Sequence, residues 1–74
     1  MLNNYIINFR WDDEALVWIA TSKDVSGLVL EDESFDDLVH EVQLAVPTLL
    51  SLNHGLNGDI TLEFVAHRQE RMVL

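Results

Sequence analysis

The fold of this chain is decided by residues 18–38, which read WIATSKDVSGLVLEDESFDDL. A short apolar run leads to a turn that contains Asp24 and Gly27, and a second short run ends in acidic residues. Ser34 stands three residues before Asp37, at the start of an apolar run with helical spacing. In such a pattern the serine oxygen accepts a backbone N–H and the acidic side chain reaches back. The stretch therefore predicts a strand, a turn, a second strand and a capped helix start.

A helix is predicted over residues 35–53. Its apolar side chains recur every three or four positions and form one stripe: Phe35, Leu38, Val39, Val42, Val46, Leu49 and Leu50. Pro47 interrupts the pattern, because a proline inside a helix removes a backbone hydrogen bond. The helix either kinks there or stops and restarts, and the continued stripe favours a kink. Leu44 points away from the stripe, and Gly55 is expected just past the end of the helix.

Alternating apolar and polar residues predict the remaining strands. The first strand covers residues 3–11 and has an aromatic inner face, and a polar turn follows at residues 12–14. The second strand covers residues 15–21 and is apolar on both faces, which is typical of a strand covered on two sides. Short strands at residues 28–31 and 60–67 complete the set.

The order β-β-β-α-β predicts an α+β domain. The first three strands form an antiparallel meander, and a right-handed crossover places the fourth strand parallel to the first and outside it. The predicted sheet order is 3-2-1-4, with one helix on one face. The other face carries Ile6, Val17 or Trp18, and Val65, and so much apolar surface predicts a second copy or another partner there. The tail at residues 69–74 could continue the last strand, reach a second subunit or fray.

Composition restricts the function classes. The 74 residues are expected to form a single domain, residues 1–74, and the lack of cysteine excludes disulfides and thiolate sites. No apolar run approaches the roughly 18 residues of a membrane span, and no signal peptide is recognisable, so we expect a cytoplasmic protein. Four Lys and Arg residues stand against 13 Asp and Glu residues, giving a net charge of -9. Direct nucleic-acid binding is not expected, because it depends on basic side chains that neutralise phosphates.

The sequence predicts no catalytic residue, metal or cofactor. Asp36 and His40 lie one helical turn apart, but two ligands without a second pair are interpreted as a chance pairing on a solvated face. The acidic turn at residues 12–14 lacks the glycine and alternation of a calcium-binding loop. No nucleophile elbow, phosphate loop or dinucleotide motif is present, so an enzyme is not expected.

One acidic set has two interpretations: Glu31, Asp32, Glu33, Asp36, Asp37 and Glu41. Acidic residues at the start of a helix stabilise its dipole and keep its surface hydrated. They also form a surface on which a basic protein could dock. Asp24, Gly27 and Ser34 are interpreted as structural residues of the turn and the cap.

The central stretch resembles the HicB-like antitoxin family. The resemblance lies in residues 18–28, in Glu31 and in residues 34–38, while residues 11–15 and 46–53 resemble a short, stand-alone branch of unassigned function. It implies a partial RNase H-like fold that binds and neutralises a small basic RNA-cleaving toxin, usually as an oligomer. Many HicB proteins also carry a C-terminal DNA-binding segment, which is not found in this sequence. Many also have a proline before the acidic residue of the turn, whereas this sequence has none before Asp24.

These observations lead to one hypothesis and one alternative. The chain is predicted to be a protein-interaction module, a HicB-like antitoxin or orphan relative that forms a homodimer and binds a HicA-like toxin. The alternative is a self-associating structural domain without a toxin partner.

Overall fold

Four strands and one helix form the structure, a computed structural model that describes residues 4–54 and 59–74. In chain order they are β1 (Asn4–Asp12), β2 (Val17–Thr21), β3 (Val29–Asp32), α1 (Phe35–His54) and β4 (Thr61–His67). The α+β class and the order of elements predicted from the sequence are confirmed.

The sheet has the order β3-β2-β1-β4, with β1 antiparallel to β2 and parallel to β4. The predicted order 3-2-1-4 is therefore confirmed. Phe9 of β1 lies opposite Ala20 of β2 and Ala66 of β4, so these three side chains share one face. β2 pairs with residues 8–12 of β1, whereas β4 pairs with residues 4–10. The first residues of β1 thus have a strand on one side only.

Helix α1 packs on the face that carries the odd-numbered residues of β1. The buried apolar residues are Tyr5, Ile7, Phe9, Ala20, Val25, Leu28, Leu38, Val42, Val46 and Leu50. The ring of Phe9 lies 5.0 Å from that of Phe35 and 5.3 Å from that of Phe64. The ring of Trp18 also lies 5.0 Å from Phe35. Aromatic side chains therefore join α1 to β1 and β2 directly and to β4 through Phe9, as the aromatic inner face of β1 predicts.

The opposite face of the sheet has no cover within the described chain. The register places Val17 and Ile19 on this face, together with Ile6 and Val65. Trp18 instead points toward α1, so the choice between Val17 and Trp18 is settled in favour of Val17.

The turn between β1 and β2 delays the start of the second strand. β2 begins at Val17 rather than at Ala15, because Leu16 has a φ of 58° and its N–H donates to the carbonyl of Asp12 at 2.8 Å. The Asp12 carboxylate also accepts the N–H groups of Glu14 and Ala15 at 3.0 and 3.2 Å. The polar turn is thus capped by its own aspartate.

The turn after β2 completes the hydrogen bonding of β1 with side chains. The Asp24 carboxylate accepts the Ile6 N–H at 2.8 Å, and the Ser22 hydroxyl donates to the Ile6 carbonyl at 2.6 Å. Since β2 ends before it reaches Ile6, these side chains take the place of a strand partner. Val25 is fully buried below the turn, and Gly27 has a φ of 85°, a conformation that suits glycine.

Helix α1 runs without a break through Pro47. A helix that stops and restarts at this position is therefore excluded. Leu44 is 65% exposed on the side of α1 away from the sheet, in agreement with the sequence pattern. Gly55 and most of the turn that follows lie outside the described residues. Among the residues that are described, no helix is long and apolar enough to cross a membrane.

Candidate protein-interaction site

The end of β3 separates two of the predicted acidic residues. Adjacent strand residues point to opposite faces of a sheet. Asp32 lies opposite Trp18 on the side of α1, while Glu31 lies opposite Ile19 on the open face. Glu31 and Asp32 therefore point to opposite faces of the sheet.

The helix separates the others. Successive helix residues are rotated by about 100°, so Asp36 and Asp37 lie toward different flanks of α1, whereas Asp37 and Glu41 are one turn apart. Glu41 contacts Asp32, which places its flank beside β3. The structure thus brings together Asp32, Asp37 and Glu41, here called the acidic corner. Glu33 is exposed in the adjoining turn.

Ser34 caps the helix, with help from a different residue than expected. Its hydroxyl oxygen accepts the Asp37 N–H at 3.2 Å. Its own backbone N–H donates to the carboxylate of Asp32 at 2.8 Å, so Asp32 does what the sequence pattern assigned to Asp37. Asp32 precedes Ser34 by two residues, a spacing at which an aspartate readily bonds to the backbone. The hydrogen bond from Ser34 to Asp32 links the end of β3 to the start of the helix.

Asp32 and Glu41 form an unequal pair of carboxyl groups. Hydrogen bonding from the Ser34 N–H, followed by that from Glu41, lowers the pKa of Asp32 below its usual value of 3.8. Hydrogen bonding to Asp32, followed by burial and the charges of Asp32 and Asp37, raises the pKa of Glu41 above 4.5. The Oε2 atom of Glu41 is shielded from solvent, and no donor among the described residues reaches it. When Glu41 is protonated, its O–H can donate a hydrogen bond to the carboxylate of Asp32.

Substitution of Glu41 with glutamine is expected to stabilise the protein at pH 7. The amide N–H can donate to Asp32 at every pH, and the repulsion between two carboxylates disappears. In the wild type, the raised pKa means that the stability due to the shared proton is present at low pH and is lost as pH rises through the folded-state pKa of Glu41. The advantage of Glu41→Gln should therefore grow between about pH 4.5 and pH 7.

Urea unfolding at a series of pH values measures this difference. Glu31→Gln is the matched control, because it removes the same charge from the opposite face of the sheet. Equal pH dependence in the two variants would contradict the pairing of Glu41 with Asp32.

A second charged feature lies at the far end of β1 and β4. It is a shallow cavity of about 370 Å³, lined by Arg10, Trp11, Asp13, His67, Arg68 and Gln69. The guanidinium of Arg68 stacks over Trp11 at 4.2 Å and pairs with Glu70 at 2.8 Å. Sequence reasoning missed this cavity because its walls come from residues almost 60 positions apart. These two contacts of Arg68 hold the chain in place at the point where it leaves β4.

The residues that the structure describes contain no cluster suited to a metal ion. Within residues 4–54 and 59–74, no group of three or more His, Asp or Glu side chains could hold a metal ion. Asp36 and His40 both lie exposed on α1.

Comparison with known proteins identifies the family. Residues 4–74 match the family described as "Domain of unknown function (DUF1902)". The chain belongs to this family. Among solved structures, the chain is similar to the crystal structure of the hypothetical protein TTHA1013 from the extremely thermophilic bacterium Thermus thermophilus. The two are 33% identical with a TM-score of 0.80, and the match covers 93% of this chain and 99% of the other.

No curated protein matches the chain. The DUF1902 match extends over the acidic corner and the residues after β4, so both belong to the family domain. Neither description contains the HicB name, and the resemblance to HicB-like antitoxins stays a prediction.

Proposed function

We propose that this DUF1902 protein is a protein-interaction module, a HicB-like antitoxin or an orphan relative, that binds a small basic protein. The partner class is an RNA-cleaving toxin of the HicA-like type, and the cytoplasm is the proposed location. The acidic corner is the observation that carries the proposal. We assign no enzymatic activity, cofactor or direct nucleic-acid contact to the chain.

The acidic corner offers a basic partner a specific contact as well as charge. A lysine or arginine of the partner would donate to the half-buried Asp32 and the exposed Asp37 in charge-assisted hydrogen bonds. A cation beside these carboxylates would favour the charged form of Glu41 over its protonated form. Affinity should therefore rise as pH increases through the pKa of Glu41.

The overall charge supports the same partner class. A net charge of -9 attracts a basic protein over a distance set by ionic strength and speeds the encounter. At physiological salt this steering acts over about 8 Å, so binding should weaken as salt is raised. A tagged pull-down at low salt followed by mass spectrometry identifies the partner. Recovery of no basic protein would contradict the proposal.

Charge reversal at the acidic corner is expected to weaken binding strongly. Asp37→Lys replaces an attractive contact with a repulsive one, and we expect at least about a tenfold loss of affinity, or about 1.4 kcal/mol. Glu14→Lys is the matched control, because it makes the same charge change in the exposed turn between β1 and β2. Titration calorimetry with the identified partner measures both.

Two outcomes distinguish a site from a general charge effect. If Asp37→Lys weakens binding much more than Glu14→Lys, the acidic corner is the contact surface. If both variants lose affinity equally, net charge alone attracts the partner and the acidic corner is not the site. Asp36→Lys tests the other flank of α1 in the same way, and circular dichroism checks that each variant is folded.

One observation favours the alternative of a self-associating structural domain. Met72 and Val73 follow β4 and are 78% and 90% exposed. Apolar residues exposed to this extent are suited to contact with another chain. Stable self-association together with an empty pull-down would favour this alternative over the antitoxin.

A further inference from the structure

Residues 68–74 follow β4 without forming a helix or strand and are here called the C-terminal arm. All seven residues are exposed. Arg68, at its root, is held by Trp11 and Glu70. The apolar tip, Met72-Val73-Leu74, lies almost wholly in solvent. Burial of such side chains is worth about 1.5–3 kcal/mol each, so the tip gains most by packing on another surface.

The dimensions of the molecule indicate that the arm projects from the domain. The Cα atoms extend over 51 × 20 × 17 Å. Helix α1 has 20 residues and a length of about 30 Å at about 1.5 Å per residue. Seven extended residues add about 23 Å, which accounts for the long axis. The radius of gyration is 13.8 Å, against about 11 Å for a compact chain of this length, so the arm projects beyond the domain.

The free edge of β4 is the part of the sheet where another strand can pair most readily. In the described sheet β4 pairs with β1 on one side and with no strand on the other, which leaves a row of N–H and C=O groups along seven residues. Its neighbouring apolar side chains are only partly covered, since Phe64 is 38% exposed and Leu62 is half-buried. The other edge strand, β3, has four residues, two of which are acidic. Short and charged edges resist pairing with another strand, so β4 is the open edge.

The arm and the rest of the chain carry net charges of opposite sign and therefore attract each other. Residues 1–67 contain two Lys or Arg and twelve Asp or Glu, a net charge of -10, whereas residues 68–74 contain two arginines and one glutamate, a net charge of +1. The arm is thus a basic segment attached to an acidic domain. It cannot easily fold back on its own strand, because residues 67–71 contain no Gly, Pro, Asn or Asp to form a tight hairpin.

We infer that two copies of this chain exchange their C-terminal arms, each arm adding as an antiparallel strand to the β4 edge of the other copy. A twofold axis repeats the pairing, so each copy gives its arm to the β4 edge of the other copy and receives the other arm in return. The contact is the same on both subunits and therefore closes as a dimer rather than growing into a fibre.

The alternation of side chains selects the register. On β4, Leu62 and Phe64 face the side of α1. Met72 and Leu74 have the same parity, so an antiparallel register with Leu74 opposite Phe64 of the partner subunit places both on that side. Val73 then lies opposite the partner's Val65 on the open face.

The same register also satisfies the charges of the arm. It places Arg68 opposite the partner's Glu70, and Gln69 lies near the twofold axis. The ion pair within one arm thereby gains an equivalent between the two copies. The inference does not depend on a toxin, because both surfaces belong to this chain.

Mass measurement tests the exchange. By light scattering coupled to size exclusion at micromolar concentration, we expect the wild type to have twice the chain mass of 8.5 kDa. The double variant Met72→Asp with Leu74→Asp should be monomeric, with a dimer dissociation constant raised at least about 100-fold. Leu44→Asp is the control, because it charges an exposed leucine on α1 and should stay dimeric. A monomeric wild type, or a double variant that remains dimeric, would overturn the inference.

Cross-linking tests the register. The chain has no cysteine of its own, so Val65→Cys with Val73→Cys introduces the only two thiols. Within one extended chain their Cα atoms are about 27 Å apart, far beyond the 4.4–6.8 Å that a disulfide spans. Oxidation should therefore yield a covalent dimer on a denaturing gel, and the pair Leu44→Cys with Val73→Cys should not. Absence of the covalent dimer in a protein that is dimeric by mass would refute the exchange in this register.

Discussion

Replacement of Phe9 with alanine is expected to unfold most of the protein at 25 °C. Phe9 is fully buried in the central strand, and its ring contacts those of Phe35 and Phe64. Removal of a buried phenylalanine side chain costs about 3–5 kcal/mol, because apolar contacts are lost and a cavity remains. A domain of this size rarely has more than about 3–5 kcal/mol of stability, so the loss removes nearly all of it.

Urea unfolding followed by circular dichroism, at one protein concentration for all variants, measures the effect. Phe9→Leu retains much of the volume and should lose less. Leu44→Ala removes an exposed side chain from α1 and should change the free energy of unfolding by less than about 0.5 kcal/mol. If Phe9→Ala unfolded at nearly the same urea concentration as the wild type, the aromatic contacts described above would not hold α1 on the sheet.

Replacement of Asp24 with alanine is expected to destabilise the protein, although less than Phe9→Ala does. The Ile6 N–H then loses its carboxylate acceptor, at a place where β2 no longer accompanies β1. A hydrogen bond to a charged group contributes about 1.5–3 kcal/mol, and partial exposure of Asp24 reduces the expected loss to about 1–2 kcal/mol. Hydrogen exchange should also show earlier opening at the start of β1.

The neighbouring residue provides the control for this prediction. Lys23 is exposed and Lys23→Ala should leave both stability and exchange unchanged. Asp24→Asn keeps an oxygen acceptor and should retain part of the stability. Loss of stability without faster exchange at Ile6 would show that Asp24 acts elsewhere than on β1.

Sequence patterns predicted the topology because each step followed from a local rule. Alternation marked β1, and turns of a few residues joined the first three strands. The long connection through α1 then had to be right-handed, which placed β4 beside β1. The boundary of β2 was wrong by two residues, since Leu16 adopts a left-handed conformation that sequence gives no reason to expect at a leucine.

The candidate site was predictable in composition but not in arrangement. The acidic residues are evident in the sequence, and the alternation of β3 already separates Glu31 from Asp32. Contact between Asp32 and Glu41, in contrast, depends on how far α1 is turned toward β3 when it packs. Likewise, the bonds from Ser22 and Asp24 to Ile6 depend on where β2 ends. Such contacts arise from tertiary packing, which local patterns do not encode.

The parallel pairing of β1 with β4 has a consequence for synthesis of the chain. Asn4 pairs with Thr61, and residues 4–7 have β4 as their strand partner while β2 begins its pairing at Asn8. The central strand therefore stays half-complete until the last quarter of the chain has left the ribosome. Contacts so distant in sequence form slowly. Until β4 is available, β1 can pair only with β2 and with the turn that follows β2. The side of β1 that pairs with β4 stays unpaired during this time.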